Sequence, residues 1–385
     1  MTFQEYRFRN VASLINGRAY LMPELQDSGK YKIVRVGNFT GKDEWFFSDM
    51  ELEPEKYCEN GDLLYKWACT FGPEIWKGDK TIYHYHIWKV LCNPVLLDKT
   101  FFFYYLKYYT PLWLSGTNGA TMVHITKASM EKKKLYLPTL PQQQKIASIL
   151  SAYDSQIEIN QKRIKLLEQM AENLYKEWFV RFRFPGYETA EFEDGLPKGW
   201  RCGKLKNIAQ DSGKSEKKDN RDKYPAYVPI DCIGSHSMVL GSMDSIENAE
   251  SSLVSFKKTD ILFGAMRPYF HKVIMAPFSG LTRSTCFVIS PKNESYRYFL
   301  YLLLFQKSSI DYATTICVGS TMPYTVWKDY SRMPIVIPTE DIVIRFAKVV
   351  KPIIDSIESI YFCNNYLVKQ RDLLLPRLMS GKLSI

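Results

Sequence analysis

Residues 142–178 read QQQKIASILSAYDSQIEINQKRIKLLEQMAENLYKEW, a stretch rich in helix-forming residues that contains neither Gly nor Pro. Its apolar residues recur at alternating steps of four and three, which is the spacing of a coiled-coil seam. The seam positions are Ile146, Leu150, Tyr153, Ile157, Asn160, Ile164, Leu167, Ala171, Leu174 and Trp178. The stretch therefore predicts one long helix, over Gln142–Val180, with a face that packs on another helix.

The same pattern returns 200 residues later in the chain. The corresponding positions are Phe346, Val350, Ile353, Ile357, Ile360, Asn364, Leu367, Arg371, Leu374 and Leu378, and eight of these ten are apolar. Two matching seams of this length favour pairing of the two helices with each other. The alternative is that each amphipathic helix packs only on its own domain.

The helix starts are marked by a Pro-Thr step in both copies. Thr139 has Gln142 three residues later, which makes a capping box, and Thr339 stands at the equivalent position. Pro352 lies inside the second pattern. We expect it to kink that helix or to delay its regular part by several residues.

The seam also predicts how the two helices align. A pseudo-two-fold repeat requires antiparallel helices, and the only Asn residues of the seams are Asn160 and Asn364, which are costly to bury unless they meet. In antiparallel helices the residue number rises along one helix as it falls along the other, so the numbers of facing residues have a constant sum. If Asn160 faces Asn364, that sum is 524. The central seam residues are then Ile157, Asn160, Ile164 and Leu167 on the first helix and Ile357, Ile360, Asn364 and Leu367 on the second. The awkward pair is Tyr153 with Arg371, whose guanidinium would stack on the ring or reach outward.

An internal repeat organises the rest of the chain. Gly119-Ala-Thr-Met122 matches Gly319-Ser-Thr-Met322, and the Pro-Thr steps keep the same offset of 200. Short apolar runs such as Lys32–Val36, Asp260–Phe263 and Pro334–Ile337 predict strands, and Tyr296–Phe305 predicts a helix. We therefore predict an α+β chain with two similar mixed α/β domains, residues 1–138 and 185–338, and two antiparallel coiled-coil helices, residues 139–184 and 339–385.

Composition narrows the class of protein. The chain of 385 residues is 46% hydrophobic and 15% aromatic, so it can form substantial cores, and its net charge of +10 suits a polyanionic partner without proving one. The charge is spread evenly over these four segments, so any affinity for DNA should come from local patches. The eight cysteines form no CxxC pair, and the first ten residues contain no apolar signal core. We expect reduced thiols, no transmembrane segment and a cytoplasmic location.

Catalytic motifs are missing from the sequence. It has no phosphate-binding loop of the G-x-x-x-x-G-K-[ST] type, no G-x-S-x-G elbow, no H-E-x-x-H and no glycine-rich cofactor turn after a strand. The pair His84 and His86 would share one strand face, but no third metal ligand is evident, so a surface or groove strand is the better interpretation. We therefore expect a binding protein without a bound metal or cofactor.

Nucleic-acid binding needs cations for phosphates and flat or hydrogen-bonding side chains for bases. Residues of these kinds lie beside predicted loops in both domains, although for each one a solvated charge or a packed ring is the alternative. The candidates are Arg18, Tyr20, Lys30, Lys32, Lys66, Trp67 and Asn118 in the first domain, and Lys214, Lys217, Lys218, Arg267, Tyr269, His271, Lys272, Arg283 and Ser320 in the second.

The chain resembles the specificity (S) subunits of type I restriction-modification systems. The resemblance rests on Leu137–Ile146, which looks like the opening of their central helix, and on Leu196-Pro-Lys-Gly-Trp200, which looks like the start of their second recognition domain. Three further segments resemble motifs of these subunits and occur in the same order: Asp260–Arg267, Gly319–Met322 and the ending Gln370–Leu383. The first domain lacks a Leu-Pro-x-Gly-Trp start, and Thr339-Glu-Asp-Ile342 replaces the usual proline-glutamine opening.

The resemblance implies a non-catalytic subunit that recognises a bipartite sequence in double-stranded DNA, with one half read by each target-recognition domain. It implies that the helices act as a spacer and as a platform for two methyltransferase subunits, and that restriction subunits join in some systems. S-adenosylmethionine, ATP and Mg²⁺ would then be bound by those partners. A stand-alone nucleic-acid methyltransferase and a coiled-coil scaffold that binds only proteins are the two alternatives.

Overall fold

A computed structural model of the chain describes residues 2–41, 44–115, 125–383 and 385. The chain forms two compact units, Met1–Ile157 with Tyr366–Ile385 (the first unit) and Glu158–Asn365 (the second unit). Each long helix therefore contributes one part to each unit, whereas the predicted domain boundaries set the helices apart as segments of their own. No helix of the described residues has both the length and the apolar composition needed to cross a membrane.

The described residues of the first unit form ten strands in three sheets. They are β1 (Gln4–Arg7), β2 (Ala12–Asn16), β3 (Tyr31–Val34), β4 (Phe46–Ser48), β5 (Tyr57–Cys58), β6 (Leu63–Lys66), β7 (Gly72–Ile75), β8 (Thr81–Tyr83), β9 (Ile87–Cys92) and β10 (Lys134–Leu137). The sheet orders are β1-β10, β2-β9-β6-β7 and β4-β3-β8-β5. The helices of this unit are α1 (Phe8–Val11), α2 (Lys99–Ser115) and α3 (Lys127–Glu131), followed by the start of α4 (Leu140–Tyr175).

The second unit contains eleven strands in four sheets. They are β11 (Phe192–Glu193), β12 (Leu196–Pro197), β13 (Arg201–Lys204), β14 (Ala209–Asp211), β15 (Lys214–Glu216), β16 (Leu253–Phe256), β17 (Ile261–Gly264), β18 (Val273–Met275), β19 (Gly280–Arg283), β20 (Cys286–Pro291) and β21 (Pro334–Ile337). The sheet orders are β11-β12, β13-β21, β14-β20-β17-β18 and β15-β16-β19. Its helices are α5 (Arg297–Phe305), α6 (Lys307–Thr315), α7 (Trp327–Tyr330) and α8 (Glu340–Met379).

The two units repeat one sheet topology, which confirms the predicted internal repeat and the α+β class. The four-stranded sheet β2-β9-β6-β7 of the first unit has the same strand order as β14-β20-β17-β18 of the second. In both units the last strand before a long helix pairs antiparallel with an earlier strand of the same unit, β10 with β1 and β21 with β13. The first copy of the Gly-x-Thr-Met motif, Gly119–Met122, lies outside the described residues.

The predicted strands and the predicted short helix are present, with small differences at their ends. The strand predicted over Lys32–Val36 ends at Val34, because Val36–Thr40 forms a 3-10 turn. The predicted helix Tyr296–Phe305 begins one residue later, at Arg297. These differences leave the order of elements unchanged.

The first long helix ends differently from the prediction. Helix α4 stops at Tyr175, and Lys176–Val180 forms one π-helical turn instead of continuing the α-helix. Trp178 and Phe179 are both buried there, and both rings pack against Phe346. The wider turn allows these two consecutive rings to face the same core.

The second long helix is not delayed by its proline. Helix α8 begins at Glu340, directly after Thr339, and runs through Pro352. The proline lies on the exposed face, where the carbonyl of Lys348 can be solvated after losing its usual N–H partner. At the start of α4, the backbone N–H of Thr139 donates to Oε1 of Gln142 at 3.2 Å, which is one of the two hydrogen bonds of the predicted capping box.

The seams of both helices are built into the cores of the units. In the first unit, Ile146 and Leu150 of α4 share a core with Leu378 of α8, and Leu374 packs at its edge. In the second unit the core includes seam residues of both helices, with Leu167, Leu174 and Ile360 packed at its edge. The seam residues in the core are Ile164, Ala171, Trp178, Phe346, Val350, Ile353 and Ile357. Tertiary packing of this kind supplies most of the stability of long amphipathic helices.

The predicted antiparallel register is confirmed within the second unit. Nδ2 of Asn160 donates to Oδ1 of Asn364 at 2.8 Å, and both residues are buried. Further along, the rings of Trp178 and Phe346 lie 5.3 Å apart, and these residue numbers also sum to 524. From the first contact to the second, the residue number rises from 160 to 178 on α4 and falls from 364 to 346 on α8. Only antiparallel helices give this pattern.

Arg371 has other partners than the side chain predicted for it, the ring of Tyr153. Instead of stacking on Tyr153, the guanidinium forms ion pairs with Asp154 and, at 2.8 Å, with Asp372. The hydroxyl of Tyr104 donates to the other carboxylate oxygen of Asp154 at 2.6 Å. A charge at a seam edge is stabilised more by a carboxylate than by a ring face, and Asp154 provides one beside the expected position.

Candidate nucleic-acid interface

Two segments distant in sequence meet at the edge of the first unit. Arg18 forms a parallel bridge with His84, and the backbone N–H of Arg18 donates to the carbonyl of Tyr83 at 3.2 Å. A Cβ atom on Gly17 would lie 2.4 Å from the carbonyl oxygens of Tyr83 and His84. Only glycine permits this approach, which brings Arg18 and Tyr20 next to the histidines.

The side chains at this edge form a row of flat rings. The guanidinium of Arg18 lies 4.9 Å from the ring centre of Tyr20, and that ring stacks on His84 at 6.4 Å. His84 lies 5.0 Å from His86, and His86 lies 5.2 Å from Trp67. We call Arg18, Tyr20, His84, His86 and Trp67 the aromatic row.

Beside the aromatic row is a cavity of about 400 Å³, and its lining includes Arg35, Asn38, Thr70, His84 and His86. Burial, together with the nearby charges of His86 and Arg35, lowers the pKa of His84 to about 4. The ring is therefore neutral at pH 7 and suited to hydrogen bonding or stacking rather than to phosphate binding. Arg35 and Asn38 were not predicted from the sequence, because only the fold brings them to the histidines.

The histidine pair does not complete a metal site in the described part of the chain, where no group of three or more His, Cys, Asp or Glu side chains has the geometry to hold a metal ion. The pair instead belongs to the aromatic row. Trp67 is fixed there by its indole N–H, which donates to the carbonyl of Tyr85 at 2.8 Å. Flat side chains held in this way are suited to stacking on bases.

The predicted lysines of the first unit have different environments. Lys30 is exposed and forms an ion pair with Glu51, and the ammonium of Lys32 lies 5.3 Å from the ring centre of Trp45. Lys66 is buried, with its ammonium 2.6 Å from a carboxylate oxygen of Glu74. Because this neutralised group has little accessible surface, we withdraw Lys66 from the candidates. Asn118 lies outside the described residues.

In the second unit the predicted residues 267–272 form the loop between β17 and β18, which we call the Arg267 loop. Arg267 has φ 50°, and its N–H donates to the carbonyl of Pro323 at 2.7 Å. This bond brings the loop to a turn closed by the Val318–Tyr324 bridge, on which Ser320 is exposed. Tyr269 and Phe270 expose nearly half of their surface. The structure thus joins Arg267, Tyr269 and Ser320 on neighbouring loops.

The two other predicted residues of the Arg267 loop point inward. The ammonium of Lys272 donates to the carbonyl of Ile230 at 2.8 Å. His271 is 7% exposed, and its Nε2 donates to the carbonyl of Phe305 at 2.9 Å. Burial lowers the pKa of His271 to about 4, so it is neutral at pH 7. We therefore reassign His271 from a DNA-contacting residue to a residue that holds the loop.

The remaining basic candidates lie on or next to the sheet β15-β16-β19. Lys214 and Arg283 are exposed on the two outer strands, opposite Ser255 and Leu253 of β16. Lys217 and Lys218 are exposed just after β15, and Lys218 forms an ion pair with Glu250 at 3.1 Å. These cations form a basic patch, suited to phosphate contacts rather than to base reading.

The chain matches a known protein family in two separate segments. The sequence profile of the family described as type I restriction modification DNA specificity domain matches residues 1–169 and 197–361. The first match covers β1 to β10 with most of α4, and the second covers β13 to β21 with part of α8. The family domain therefore occurs twice, in the same places as the structural repeat.

Individual relatives are more distant. The MjaIX type I restriction enzyme specificity subunit of Methanocaldococcus jannaschii is 27% identical over 286 residues, covering 70% of this chain and 65% of that subunit. This chain thus spans less than two thirds of that relative's length. The HindI type I restriction enzyme specificity subunit of Haemophilus influenzae is 24% identical over 336 residues, covering 70% of this chain and 73% of that subunit.

A solved structure shares the fold. The S subunit of a type I restriction-modification system from M. genitalium aligns with a TM-score of 0.63 at 14% identity, covering 98% of this chain and 96% of that one. The repeat, the fold and the two family matches agree with one another. The chain therefore belongs to the type I restriction-modification DNA specificity family.

Proposed function

We propose that this chain is the subunit that selects the DNA sequence for a type I restriction-modification complex. The observation that carries the proposal is the agreement between the two family matches and the structural repeat, with segments in each unit that combine cations and partly or fully exposed rings. Two equivalent recognition units on one chain suit a bipartite site, in which each unit reads one half. The guanidinium groups of these segments would provide base-edge or phosphate contacts, and their rings would provide stacking surfaces.

The candidate residues divide into two kinds. The aromatic row and the Arg267 loop, including Arg267 and Tyr269, are the candidates for contacts that distinguish one base from another. The patch that contains Lys214, Lys217 and Arg283 is the candidate for phosphate contacts, which position the protein without reading sequence. On this basis the first group sets specificity and the second sets the salt dependence of binding.

The chemistry of the complex would belong to partner subunits. The long helices would serve as a spacer and as a platform for two methyltransferase subunits, which would bind S-adenosylmethionine. Where the system includes restriction subunits, these would bind ATP and Mg²⁺. The chain itself would hold no cofactor and catalyse no reaction, and it would act in the cytoplasm, where its DNA substrate is found.

Methylome sequencing of cells with and without the gene tests this proposal. We expect a bipartite motif to be methylated only when the gene is present. A gel-shift assay of the chain with its methyltransferase partner, at several salt concentrations, should show preference for that motif over a scrambled duplex. Methyl transfer by the purified chain alone would indicate a stand-alone methyltransferase. Binding to proteins without any DNA preference would indicate a scaffold.

A further inference from the structure

A carboxylate of the long helix α4 is buried against a loop of the second unit. Glu168 is 8% exposed, and its Oε1 accepts hydrogen bonds from Oγ of Ser237 at 2.8 Å and from the backbone N–H of Met238 at 2.7 Å. Burial raises the pKa of Glu168, while these two hydrogen bonds oppose the rise. A polar group this deeply buried persists only when its partners are well placed.

The loop held by Glu168 also holds the end of the Arg267 loop. The backbone N–H of His236 donates to the carbonyl of His271 at 2.9 Å, and the two rings lie 4.7 Å apart. A Cβ atom on Gly234 would lie 2.7 Å from the carbonyl oxygen of Val239, so this tight turn requires glycine. One chain of contacts therefore runs from Glu168 through the 234–239 turn to His271.

The backbone of both loops is strained. Arg267, His236 and His271 have φ values of 50°, 51° and 50°, which non-glycine residues adopt only at a cost. Such conformations persist when the surroundings fix them. Two hydrogen bonds fix the two ends of the Arg267 loop: the N–H of Arg267 donates to the carbonyl of Pro323, and Nε2 of His271 donates to the carbonyl of Phe305. The turn held by Glu168 packs beside the second of them.

We propose that Glu168 is a positioning residue for DNA recognition, which fixes the Arg267 loop through the 234–239 turn. The inference rests on the proposed function, because it assigns the Arg267 loop a role in reading DNA. It concerns one half-site only, since the repeat places Val368 at the position equivalent to Glu168. The long helix thus takes part in specificity in the second unit without touching DNA.

Three variants of the full chain separate positioning from general damage. Glu168→Ala removes both hydrogen bonds while keeping high helix propensity. Glu168→Gln keeps an oxygen where Oε1 lies, and both bonds use that one oxygen, so it should restore the contact. Gln169→Ala changes the exposed neighbouring residue and serves as the matched control.

The first measurement needs no DNA. Hydrogen–deuterium exchange of the free protein should become about tenfold faster in peptides covering 234–239 and 267–272 in Glu168→Ala. The Gln and Gln169→Ala variants should exchange like the wild type. Unchanged exchange in the 267–272 peptide of Glu168→Ala, with a folded protein, would overturn the positioning role whatever the chain binds.

The second measurement uses duplexes that carry the motif found by methylome sequencing, with base changes in one half at a time. Glu168→Ala should lose roughly tenfold of its discrimination at the half read by the second unit and keep it at the other half. Faster exchange without any loss of discrimination would overturn the link to recognition. If the wild type itself shows no preference, the proposed function fails, and the exchange data alone decide whether Glu168 positions the loop.

Discussion

Asn160 and Asn364 are 204 residues apart in sequence, yet their side-chain amides form a hydrogen bond of 2.8 Å in a buried position between the long helices. A shift of either helix by one turn, about 5.4 Å, would break this bond and bring each amide against apolar seam residues. A single polar pair in an apolar seam therefore specifies the register.

The register predicts a specific crosslink. In a Cys363→Ser background, which removes the exposed neighbouring thiol, Asn160→Cys and Asn364→Cys should form a disulfide under mild oxidation. The reason is that facing seam positions have Cα atoms within about 7 Å, as a disulfide requires. Non-reducing electrophoresis and peptide mass mapping would measure its formation.

The control for this crosslink is a pair displaced by one turn, Ile164→Cys with Asn364→Cys in the same background. It should form a disulfide slowly or not at all. Efficient crosslinking of the displaced pair, with failure at Asn160 and Asn364, would contradict the register.

Features that depend on local pattern were predictable from the sequence. The heptad spacing of α4 and α8 is a property of neighbouring residues, so it predicted both helices, their pairing and the Asn160–Asn364 contact. The order of strands in the sheets has no such local signal, because strand pairing joins distant segments. The repeat nevertheless required two similar sheets, and the structure has them.

Features that depend on distant neighbours were missed or misassigned. Lys66 and His271 resembled surface residues, but Glu74 and the carbonyl of Phe305 hold them inside the units. Arg371 was matched to Tyr153 because heptad geometry describes seam positions only, and Asp154 lies beside the seam. No local signal marked Glu168, which looks like any solvent-facing glutamate of a long helix until the 234–239 turn packs on it.

The ion pair of Arg371 and Asp154 should contribute to the stability of the first unit. The guanidinium is 14% exposed and the carboxylate 31%, so Arg371→Leu removes a partly buried partner of Asp154. We expect a loss of about 1–3 kcal/mol in the free energy of unfolding, measured from urea denaturation. Asp154→Asn in the same chain should recover part of this loss. Lys307→Leu, which breaks an exposed pair with Asp311, should cost under about 1 kcal/mol, and an equal loss would contradict the prediction.

The buried His271 should make the second unit sensitive to acid. Its pKa is about 4 in the folded chain against 6.5 for an ordinary histidine, so the folded state resists protonation. The contribution of neutral His271 to the free energy of unfolding is fully present above pH 6.5. As the pH falls towards 4, the free energy of unfolding should decrease by roughly 2–3 kcal/mol. His271→Asn tolerates the positive φ and does not titrate, so it should flatten this part of the stability profile. Parallel profiles of the two proteins between pH 7 and 4 would show that His271 is not responsible.

Arg267 should contribute directly to DNA binding. Arg267→Ala should weaken binding to the specific duplex by about 1–3 kcal/mol and relax specificity at one position if the guanidinium reads a guanine. If it contacts only a phosphate, affinity should fall for all sequences and the salt slope should decrease by about one. Binding titrations at several salt concentrations distinguish these outcomes, with Lys307→Ala as the control for loss of a surface charge. Unchanged affinity and slope would make Arg267 a structural residue.

The repeat predicts that recognition is modular. Replacing residues 1–138 by the corresponding domain of another family member should change one half of the methylated motif and leave the other half unchanged. The junction at Thr139 is suitable because β1 pairs with β10 inside the exchanged segment, and α4 begins just after it. The donor domain should keep the contacts that the replaced domain makes to α4. Examples are the hydroxyl of Tyr104, which donates to Asp154, and the N–H of Asp98, which donates to Oε1 of Gln143.

The reciprocal exchange of residues 185–338 is the matched control and should change only the other half of the motif. Methylome sequencing of both hybrids gives the result, and a folded hybrid that alters both halves at once would show that the two units do not read DNA independently.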